Sequence, residues 1–395
     1  MPVMPIAASG LSGIRLSGLP PLSLYVHIPW CVRKCPYCDF NSHEVRGEVP
    51  QQAYVDALIA DLEHALPQIW GRRVYSIFFG GGTPSLLSAQ AIDRLLAAIR
   101  ARVTVASDAE ITLEANPGTF EAEKFRDFRS AGINRLSIGI QSFNPKHLKA
   151  LGRIHDEREA KRAIEIAQDN FELYNLDLMY ALPQQTVAEA VDDLNTALSF
   201  RAPHLSFYHL TIEPNTYFHR YPPAVPDDDT SADIHEMVIE HLVGAGYEHY
   251  ETSAYARLGQ RCRHNLNYWR FGDYLGIGAG AHSKLSFHDR IIREARFKQP
   301  QSYLEHVHAG DAVSERRELT RADLPFEFML NVMRLPEGFA VGEFAERTGL
   351  QISAAERGLR AAEEKGLILR THERIQPTEH GQRYLNELLE LFLPA

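Results

Sequence analysis

The sequence predicts an α/β protein: an incomplete (β/α)6 barrel followed by a smaller, winged-helix-like α+β domain. Three observations support this fold class. Short apolar runs alternate with helical patterns from Leu22 to about Thr252, which is typical of a parallel sheet. Polar residues follow the ends of successive strands, and the pattern changes to short helices after about Pro325. We therefore expect a flexible N-terminal tail over 1–22, a partial barrel with an extension over 23–320 and a C-terminal domain over 325–395.

Six strands are predicted in the barrel, each an apolar run bounded by turn formers. Their sequences are SLYVHI (23–28), YSIFF (75–79), EITLEA (110–115), NRLSIGIQ (134–141), LYNLDLM (173–179) and HLSFYHL (204–210). Between them lie helical patterns, such as 88–100, which has Ser88 as a plausible N-cap. The apolar stripe of this helix consists of Ile92, Leu95, Leu96 and Ile99.

Residues 325–395 predict helix, helix, two-stranded wing and helix, separated by glycines at 349, 366 and 381. This order is typical of a winged helix, a fold that often binds DNA. The segment carries eight Lys plus Arg against eleven Asp plus Glu, whereas phosphates require a basic surface. We therefore expect a packing domain and not a nucleic-acid interface.

The composition of the chain limits its expected partners and its expected cellular compartment. The 395-residue chain has a formal net charge of -10, which argues against a nucleic-acid partner. Four cysteines, three of them clustered, do not form a disulfide framework and favour a reducing cytoplasm. No apolar run approaches the ~18 residues of a membrane span, and the first 22 residues carry neither a secretory nor a transit signal. We expect a cytoplasmic protein without a membrane span, for which peripheral association with a membrane acceptor stays open.

The cysteine cluster has the spacing C-x3-C-x2-C, with Cys31, Cys35 and Cys38. Thiolates bind zinc or iron-sulfur clusters. Structural zinc takes four protein ligands, so Asp39 or His43 would have to complete the set. A four-iron cluster held by three cysteines instead leaves one iron open for a small molecule. The residues alone favour the cluster and leave zinc as the alternative.

Polar groups follow the first five strands: the cysteine loop, the turn GGGTP, Glu114, Gln141 and Asp177. Because the C-terminal ends of parallel strands in a βα barrel form one rim, we expect these groups to converge. Each alone is explained as well or better as a helix cap or turn former. Five together on one rim predict a functional site.

The cysteine spacing, Tyr37 just before the last cysteine, and GGGTP resemble the radical S-adenosylmethionine (SAM) superfamily. Within it, YVHIPWC, FFGGGTPS, SIGIQSF and DLMYALP resemble the oxygen-independent coproporphyrinogen III oxidase group, from about residue 22 to the C-terminus. The resemblance implies that a 4Fe-4S cluster binds to Cys31, Cys35 and Cys38, and that SAM binds at the open iron.

The same resemblance implies a set of SAM contacts. The matching positions are Tyr25, Tyr37, Gly81, Gly82, Thr83, Glu114, Gln141, Arg153 and Asp177. The tyrosines would flank the cofactor, and the turn 81–83 would offer backbone groups to its methionine end. Glu114 and Asp177 suit ribose hydroxyls or amines, and Arg153 suits a carboxylate. A solvated arginine at the start of a helix is the alternative for Arg153.

Two departures separate the chain from the oxidases. They carry a further cysteine two residues after the third, where this chain has Phe40, and the segment before the first strand is short here. The stretch CPYCDFNSH instead is typical of the HemW family of heme chaperones. The resemblance implies that the protein binds heme and transfers it to an acceptor protein, and that coproporphyrinogen oxidase activity is absent.

A second segment resembles the heme-binding motif of that family, H-N-x-x-Y-W. Its residues here are His264, Asn265, Tyr268 and Trp269. A neutral imidazole ligates heme iron, and aromatic rings pack on the macrocycle. The alternative is ordinary packing of a histidine among aromatic residues. We interpret the neighbouring Cys262 as a buried thiol and not as a second heme ligand.

The expected function is therefore that of a heme chaperone with a SAM-coordinated cluster and an unidentified heme-accepting partner. The first rival is an oxygen-independent coproporphyrinogen III oxidase or another radical SAM enzyme, which anaerobic decarboxylation would reveal. The second is a nucleic-acid binding module, against which the acidic charge of the chain already argues.

Overall fold

The computed structural model of the chain describes residues 13–118 and 122–394. Its β-strands, numbered in chain order, are β1 Leu22–Ile28, β2 Trp30–Cys31, β3 His43–Glu44, β4 Arg73–Gly81, β5 Thr104–Ala115, β6 Arg135–Gln141, β7 Leu173–Tyr180, β8 His204–His209, β9 Glu248–Glu251, β10 Ala254–Ala256, β11 Asp273–Ile277, β12 His282–Ser286, β13 Ile291–Arg296, β14 Val313–Glu318, β15 Phe339–Ala340, β16 Ile368–Arg370 and β17 Arg374–Pro377.

The helices of the described part connect and cover these strands. They are α1 Gln51–Ile69, α2 Ala89–Arg102, α3 Phe125–Ala131, α4 Pro145–Ala150, α5 Glu157–Asn170, α6 Val187–Ser199, α7 Tyr217–Arg220, α8 Asp228–Gly244, α9 Arg263–Trp269, α10 Pro300–His308, α11 Leu324–Val332, α12 Val341–Thr348, α13 Glu356–Glu364, α14 Glu379–Arg383 and α15 Leu385–Glu390.

A twelve-stranded sheet organises the first part of the chain, in the order β14-β13-β12-β11-β1-β4-β5-β6-β7-β8-β10-β9. The strands β1 and β4 to β8 are parallel to one another, and β11 joins β1 in parallel. The added strands at both ends are antiparallel. The six predicted strands and the incomplete barrel are confirmed, and the sheet is open. The antiparallel strands β12 to β14 were not specified from the sequence.

Local sequence accounts for the helices that cover this sheet. Ser88 caps α2 by accepting from the Ala91 backbone N–H, and the predicted stripe of the helix is fully buried. Capping boxes start α5, at Asp156, and α6, at Thr186. The buried faces pack on the outer side of the parallel strands and form the main core.

The C-terminal part contains the predicted two helices, α12 and α13, followed by a wing and further helices, and its α+β character is confirmed. A further helix, α11, precedes them and was not predicted. Its small sheet has three strands, β15-β17-β16, one more than the predicted wing. Phe328 lies at the centre of a second core and packs edge-on against Phe339 and Phe344. Two arginines, Arg261 and Arg270, link the barrel extension to Glu337 of this part.

The N-terminal segment differs from the expected flexible tail where the structure describes it. Ile14 and Leu16 are buried in the second core, and the backbone N–H of Leu16 donates to the carbonyl of His288 at 3.0 Å. Two apolar residues at spacing i, i+2 are a signal too short to detect in the sequence. Residues 1–12 lie outside the described part.

Among the residues that the structure describes, no helix has both the length and the apolar composition needed to cross a membrane.

Replacement of Leu16 by Ala tests this anchoring. The change should lower the free energy of unfolding by about 2–4 kcal/mol, because a buried leucine leaves a cavity in the second core. Thermal or urea unfolding measures it, with Leu19→Ala as the control, since Leu19 is exposed. Equal, small effects of the two substitutions would show that the segment does not contribute to the core.

Candidate functional site

A cavity of about 410 Å³ opens at the C-terminal ends of the parallel strands. Eleven of the sixteen predicted site residues line it, from the cysteine loop and from the ends of β4 to β7. They are Cys31, Cys35, Tyr37, Cys38, Gly81, Gly82, Thr83, Glu114, Gln141, Arg153 and Asp177. The parallel order of the strands therefore brings residues from 31 to 177 into one space.

The cysteine loop presents three free thiols to this cavity. A turn in which the Cys38 N–H donates to the Cys35 carbonyl (3.2 Å) holds two of them close in the chain. Burial raises the pKa of the Cys31 and Cys38 thiols, so both are protonated until a metal displaces the protons. Of the two residues that would complete a zinc site, Asp39 lines the cavity and His43 does not.

The donor chemistry suits a cluster bound by three cysteines, but in the described part of the chain no group of three or more His, Cys, Asp or Glu side chains is arranged to hold a metal ion. The thiols of Cys31 and Cys38 are both partly desolvated, and among the described residues the remaining cysteine, Cys262, does not line the cavity. The Arg153 guanidinium donates to the Cys35 sulfur at 3.6 Å. Three sulfurs without a fourth cysteine suit an iron-sulfur cluster with one open iron.

The glycine turn after β4 packs directly against the cysteine loop. A Cβ on Gly82 would lie 2.5 Å from the Trp30 carbonyl oxygen, and Gly81 has a φ of +113°. The N–H groups of Gly82 and Thr83 donate to the carbonyls of Ile28 and Trp30, both at 2.7 Å. The turn therefore uses these two N–H groups to fix the loop, which leaves its carbonyl oxygens as the groups suited to a ligand amine.

Arg153 points into the site and is not a solvated arginine at a helix start. One of its terminal nitrogens donates to the Asn116 side-chain oxygen (2.7 Å) and to the Gly139 carbonyl (2.8 Å). The amide nitrogen of Asn116 in turn donates to the Thr83 hydroxyl at 3.1 Å. Asn116 was missed from the sequence, although its position two residues after Glu114 was the available signal.

Two carboxyl groups, Glu114 and Asp177, lie deep in the cavity. Burial raises the pKa of Glu114 to about 8, and the nearby Asp177 charge adds to the rise. Burial also raises the pKa of Asp177, although its oxygens accept from the Ser137 hydroxyl and the Asn175 amide, both at 2.8 Å. A pair of this kind binds hydroxyl or cationic groups well, because either relieves the repulsion between the carboxylates.

Gln141 reaches the cavity through an irregular strand end. Its φ is +67°, and the register of β6 on β7 shifts between Gly139 and Gln141. A Cβ on Gly139 would lie 2.9 Å from the Gln141 side-chain nitrogen, so the glycine makes room for this amide. The end of β8 adds further lining residues that the sequence did not suggest, namely Tyr208, His209 and Leu210.

Five predicted residues do not line the cavity: Tyr25, His264, Asn265, Tyr268 and Trp269. Tyr25 lies below it and bonds to His27 at 3.0 Å. The ring of Phe78 lies 6.3 Å from that of Tyr25 and 4.8 Å from that of His264. A layer of aromatic side chains therefore lies between the cavity and His264.

The segment with the H-N-x-x-Y-W motif forms α9 beside the lower part of the sheet. The His264 ring is buried, and its Nδ1 lies 3.0 Å from the Ser76 hydroxyl. Glu110 accepts from the backbone N–H groups of Arg263 and His264. Burial raises the pKa of Cys262 to about 12, which agrees with its interpretation as an inert thiol.

The fold and this arrangement define a radical SAM protein. A family model described as the radical SAM superfamily matches residues 25–197, and one described as the HemN C-terminal domain matches residues 319–384. The chain belongs to the family of proteins named heme chaperone HemW. The member from Escherichia coli (strain K12) is 52% identical over 95% of this chain and 99% of its own length.

Further relatives show the range of this similarity. The Haemophilus influenzae protein of the same name is 51% identical over 95% of this chain and 98% of its own length, and that of Bacillus subtilis is 32% identical over 94% and 99%. A solved structure described as coproporphyrinogen III oxidase (HemN) from Escherichia coli has a TM-score of 0.81 and 25% identity, and the match covers 95% of this chain and 90% of that chain.

The raised pKa of Glu114 predicts a dependence of stability on pH. Between the usual glutamate value of 4.5 and about 8, the folded state retains a proton that the unfolded state has lost. The free energy of unfolding should therefore fall as the pH rises through this window. Glu114→Gln removes the ionisation and should reduce this fall by about 4 kcal/mol between pH 5 and pH 8.5.

Urea unfolding of the metal-free protein at both pH values provides the measurement. Glu387→Gln, at an exposed position, serves as the control and should follow the unchanged chain. An identical pH dependence in Glu114→Gln and the unchanged chain would contradict the assignment.

Proposed function

We propose that the chain is a heme chaperone that binds a 4Fe-4S cluster and SAM, holds heme, and transfers it to an acceptor protein. The observation that carries the proposal is the convergence of three thiols, the glycine turn and buried carboxyl groups in one cavity. The names of its relatives supply the heme part of the proposal.

Cys31, Cys35 and Cys38 would hold the cluster. When bound, the cluster would supply an open iron for the methionine end of SAM and a source of electrons. Arg153 would balance the negative charge of the thiolates, because its guanidinium already lies beside the Cys35 sulfur. The Lys34 ammonium keeps the loop closed by donating to the Phe40 and Ser42 carbonyls.

The remaining lining residues would hold SAM. The carbonyl oxygens of the turn 81–83 suit its amino group, because the N–H groups of Gly82 and Thr83 bind the cysteine loop. Arg153 suits its carboxylate, and Glu114 and Asp177 suit the ribose hydroxyls. Gln141 and Tyr37 would border the cofactor, whereas Tyr25 would support it from below.

Phe40 distinguishes the proposal from the oxidase alternative. It lines the mouth of the cavity with 60% of its surface exposed, at the position where the oxidases have a further cysteine. The similarity to the solved HemN structure keeps the oxidase as the second candidate. We propose that the chain lacks this activity, and that an anaerobic assay of coproporphyrinogen decarboxylation will yield no product.

The heme site is proposed at His264, Asn265, Tyr268 and Trp269. Because the His264 ring is buried below Phe78, ligation there requires α9 to move and expose the imidazole. Burial lowers the pKa of His264 to about 4, so the ring is neutral while it is buried. Once exposed, an imidazole with its ordinary pKa of about 6.5 is mostly neutral at pH 7 and able to bind iron. We also propose a cytoplasmic setting, with residues 23–320 and 325–395 as two domains.

The cluster assignment predicts a pattern of iron loss. After anaerobic reconstitution the protein should hold about four irons and bleach in air. Replacement of Cys31, Cys35 or Cys38 by Ala should abolish the cluster, as measured by iron content and visible absorption. Cys262→Ala is the matched control and should retain it. Stoichiometric zinc, or an intact cluster in the three variants, would refute the assignment.

The heme assignment predicts a separable loss. His264→Ala should shift or abolish the Soret band of the heme-loaded protein and leave its cluster content unchanged, because the two sites share no residue. Trp269→Ala should weaken heme retention by about 1–2 kcal/mol through the loss of one aromatic face.

A suitable control is His147→Ala, which also removes a buried imidazole, one that faces Glu189. If His264→Ala binds heme with the same spectrum and affinity as the unchanged chain, the iron ligand lies elsewhere and α9 has a packing role.

A further inference from the structure

A continuous chain of hydrogen bonds runs from the cavity to the segment that contains α9. At the cavity end, the Asn175 side-chain nitrogen donates to an oxygen of Asp177 at 2.8 Å. The Asn175 oxygen lies 2.6 Å from Nδ1 of His204, and Nε2 of His204 lies 2.6 Å from the Tyr250 hydroxyl. At the far end, the backbone N–H of Cys262 donates to the same hydroxyl at 3.2 Å.

The direction of each bond follows from the chemistry of the ends. The Asp177 carboxylate only accepts, so Asn175 must present its amide nitrogen there, and its oxygen therefore faces His204. Nδ1 of His204 must then carry the proton. Burial lowers the pKa of this imidazole well below its ordinary value, so the ring is neutral and its Nε2 accepts.

Tyr250 completes the directional argument. Its hydroxyl accepts from the Cys262 N–H and has one proton, which it donates to Nε2 of His204. Every donor in this series of hydrogen bonds therefore points towards Asp177. Bonds aligned in this way polarise one another. Asn175, His204, Tyr250 and Cys262 are buried, and Asp177 is half-buried at the cavity.

We infer that His204 and Tyr250 are positioning residues for the Asp177 carboxylate in the cofactor cavity. Through Tyr250 they connect this carboxylate to the backbone at the start of α9. The position of α9 therefore affects the orientation and the acceptor strength of Asp177. The inference rests on the proposed function insofar as it takes SAM to be the ligand of Asp177.

Other groups near Asp177 also influence its carboxylate. They are Arg135 and Ser137 on β6, Glu114 on β5, and Tyr208 and Ser206 on β8. Arg135 also faces His204 and Tyr250. None of these groups is changed in the variants, so their contribution is common to all of them.

The test is a double-mutant cycle on SAM affinity, measured by equilibrium binding to the reconstituted full chain. His204→Phe and Tyr250→Phe should each weaken binding about threefold to tenfold. In an Asp177→Asn background the same changes should have no further effect, because their action passes through the carboxylate. His204→Asn, which can retain a donor at the Nδ1 position, should restore part of the affinity.

Tyr303→Phe is the matched control, since it removes an equally buried hydroxyl that bonds to Asp61 instead. It should bind SAM like the unchanged chain. Equal losses with and without the Asp177 carboxylate would indicate a general structural effect and overturn the inference, as would full affinity in Tyr250→Phe, a variant that removes a single oxygen atom.

A second measurement does not depend on SAM. Infrared difference spectra of protein labelled with 13C-aspartate follow the titration of the Asp177 carboxyl group, identified by its loss in Asp177→Asn. His204→Phe and Tyr250→Phe should raise its midpoint by about half a pH unit, since the Asn175 amide that donates to the carboxylate is then less polarised. If the unchanged chain fails to bind SAM, the proposed function fails, whereas an unshifted midpoint overturns the inference itself.

Discussion

The close contact between the glycine turn after β4 and the cysteine loop after β1 is the constraint on which the site depends. The Gly82 and Thr83 N–H groups bind the carbonyls of Ile28 and Trp30, and a side chain at Gly82 would collide with the Trp30 backbone. This contact fixes the start of the loop relative to the end of β4. Because this contact holds the cysteine loop beside the ends of the other strands, one cavity contains the thiols, the carboxyl groups and Arg153.

The open sheet creates a second requirement, since its inner face contains polar groups that a closed, apolar core would not. Glu110, Arg135, Asn175 and His204 are all buried there. Each must find partners inside the protein, because an unpaired buried polar group is costly. The start of α9 supplies partners for Glu110, which accepts from the backbone N–H groups of Arg263 and His264.

The antiparallel extension is held by buried charges. Asp273 and Lys284 are almost inaccessible to solvent and lie 3.0 Å apart, and Arg72 bonds to the other oxygen of Asp273. Burial lowers the pKa of Lys284 to about 8, while Lys284 and Arg72 help to hold the pKa of Asp273 below its usual value. Loss of one partner would leave an uncompensated charge, so the pairs fix the register of β11 on β12.

The sequence by itself determined the six parallel strands, the apolar stripes of the helices and the residues that meet at the rim. Hydrophobic periodicity is a local property of the sequence, and the C-terminal ends of parallel strands lie on one rim. It did not determine that Ile14 and Leu16 are packed, that Arg153 points inwards towards Asn116, or that His264 lies below Phe78. These depend on contacts between residues far apart in the chain. Only the tertiary structure decides them, because a side chain's partners are set by the packing of several elements and not by its neighbours in sequence.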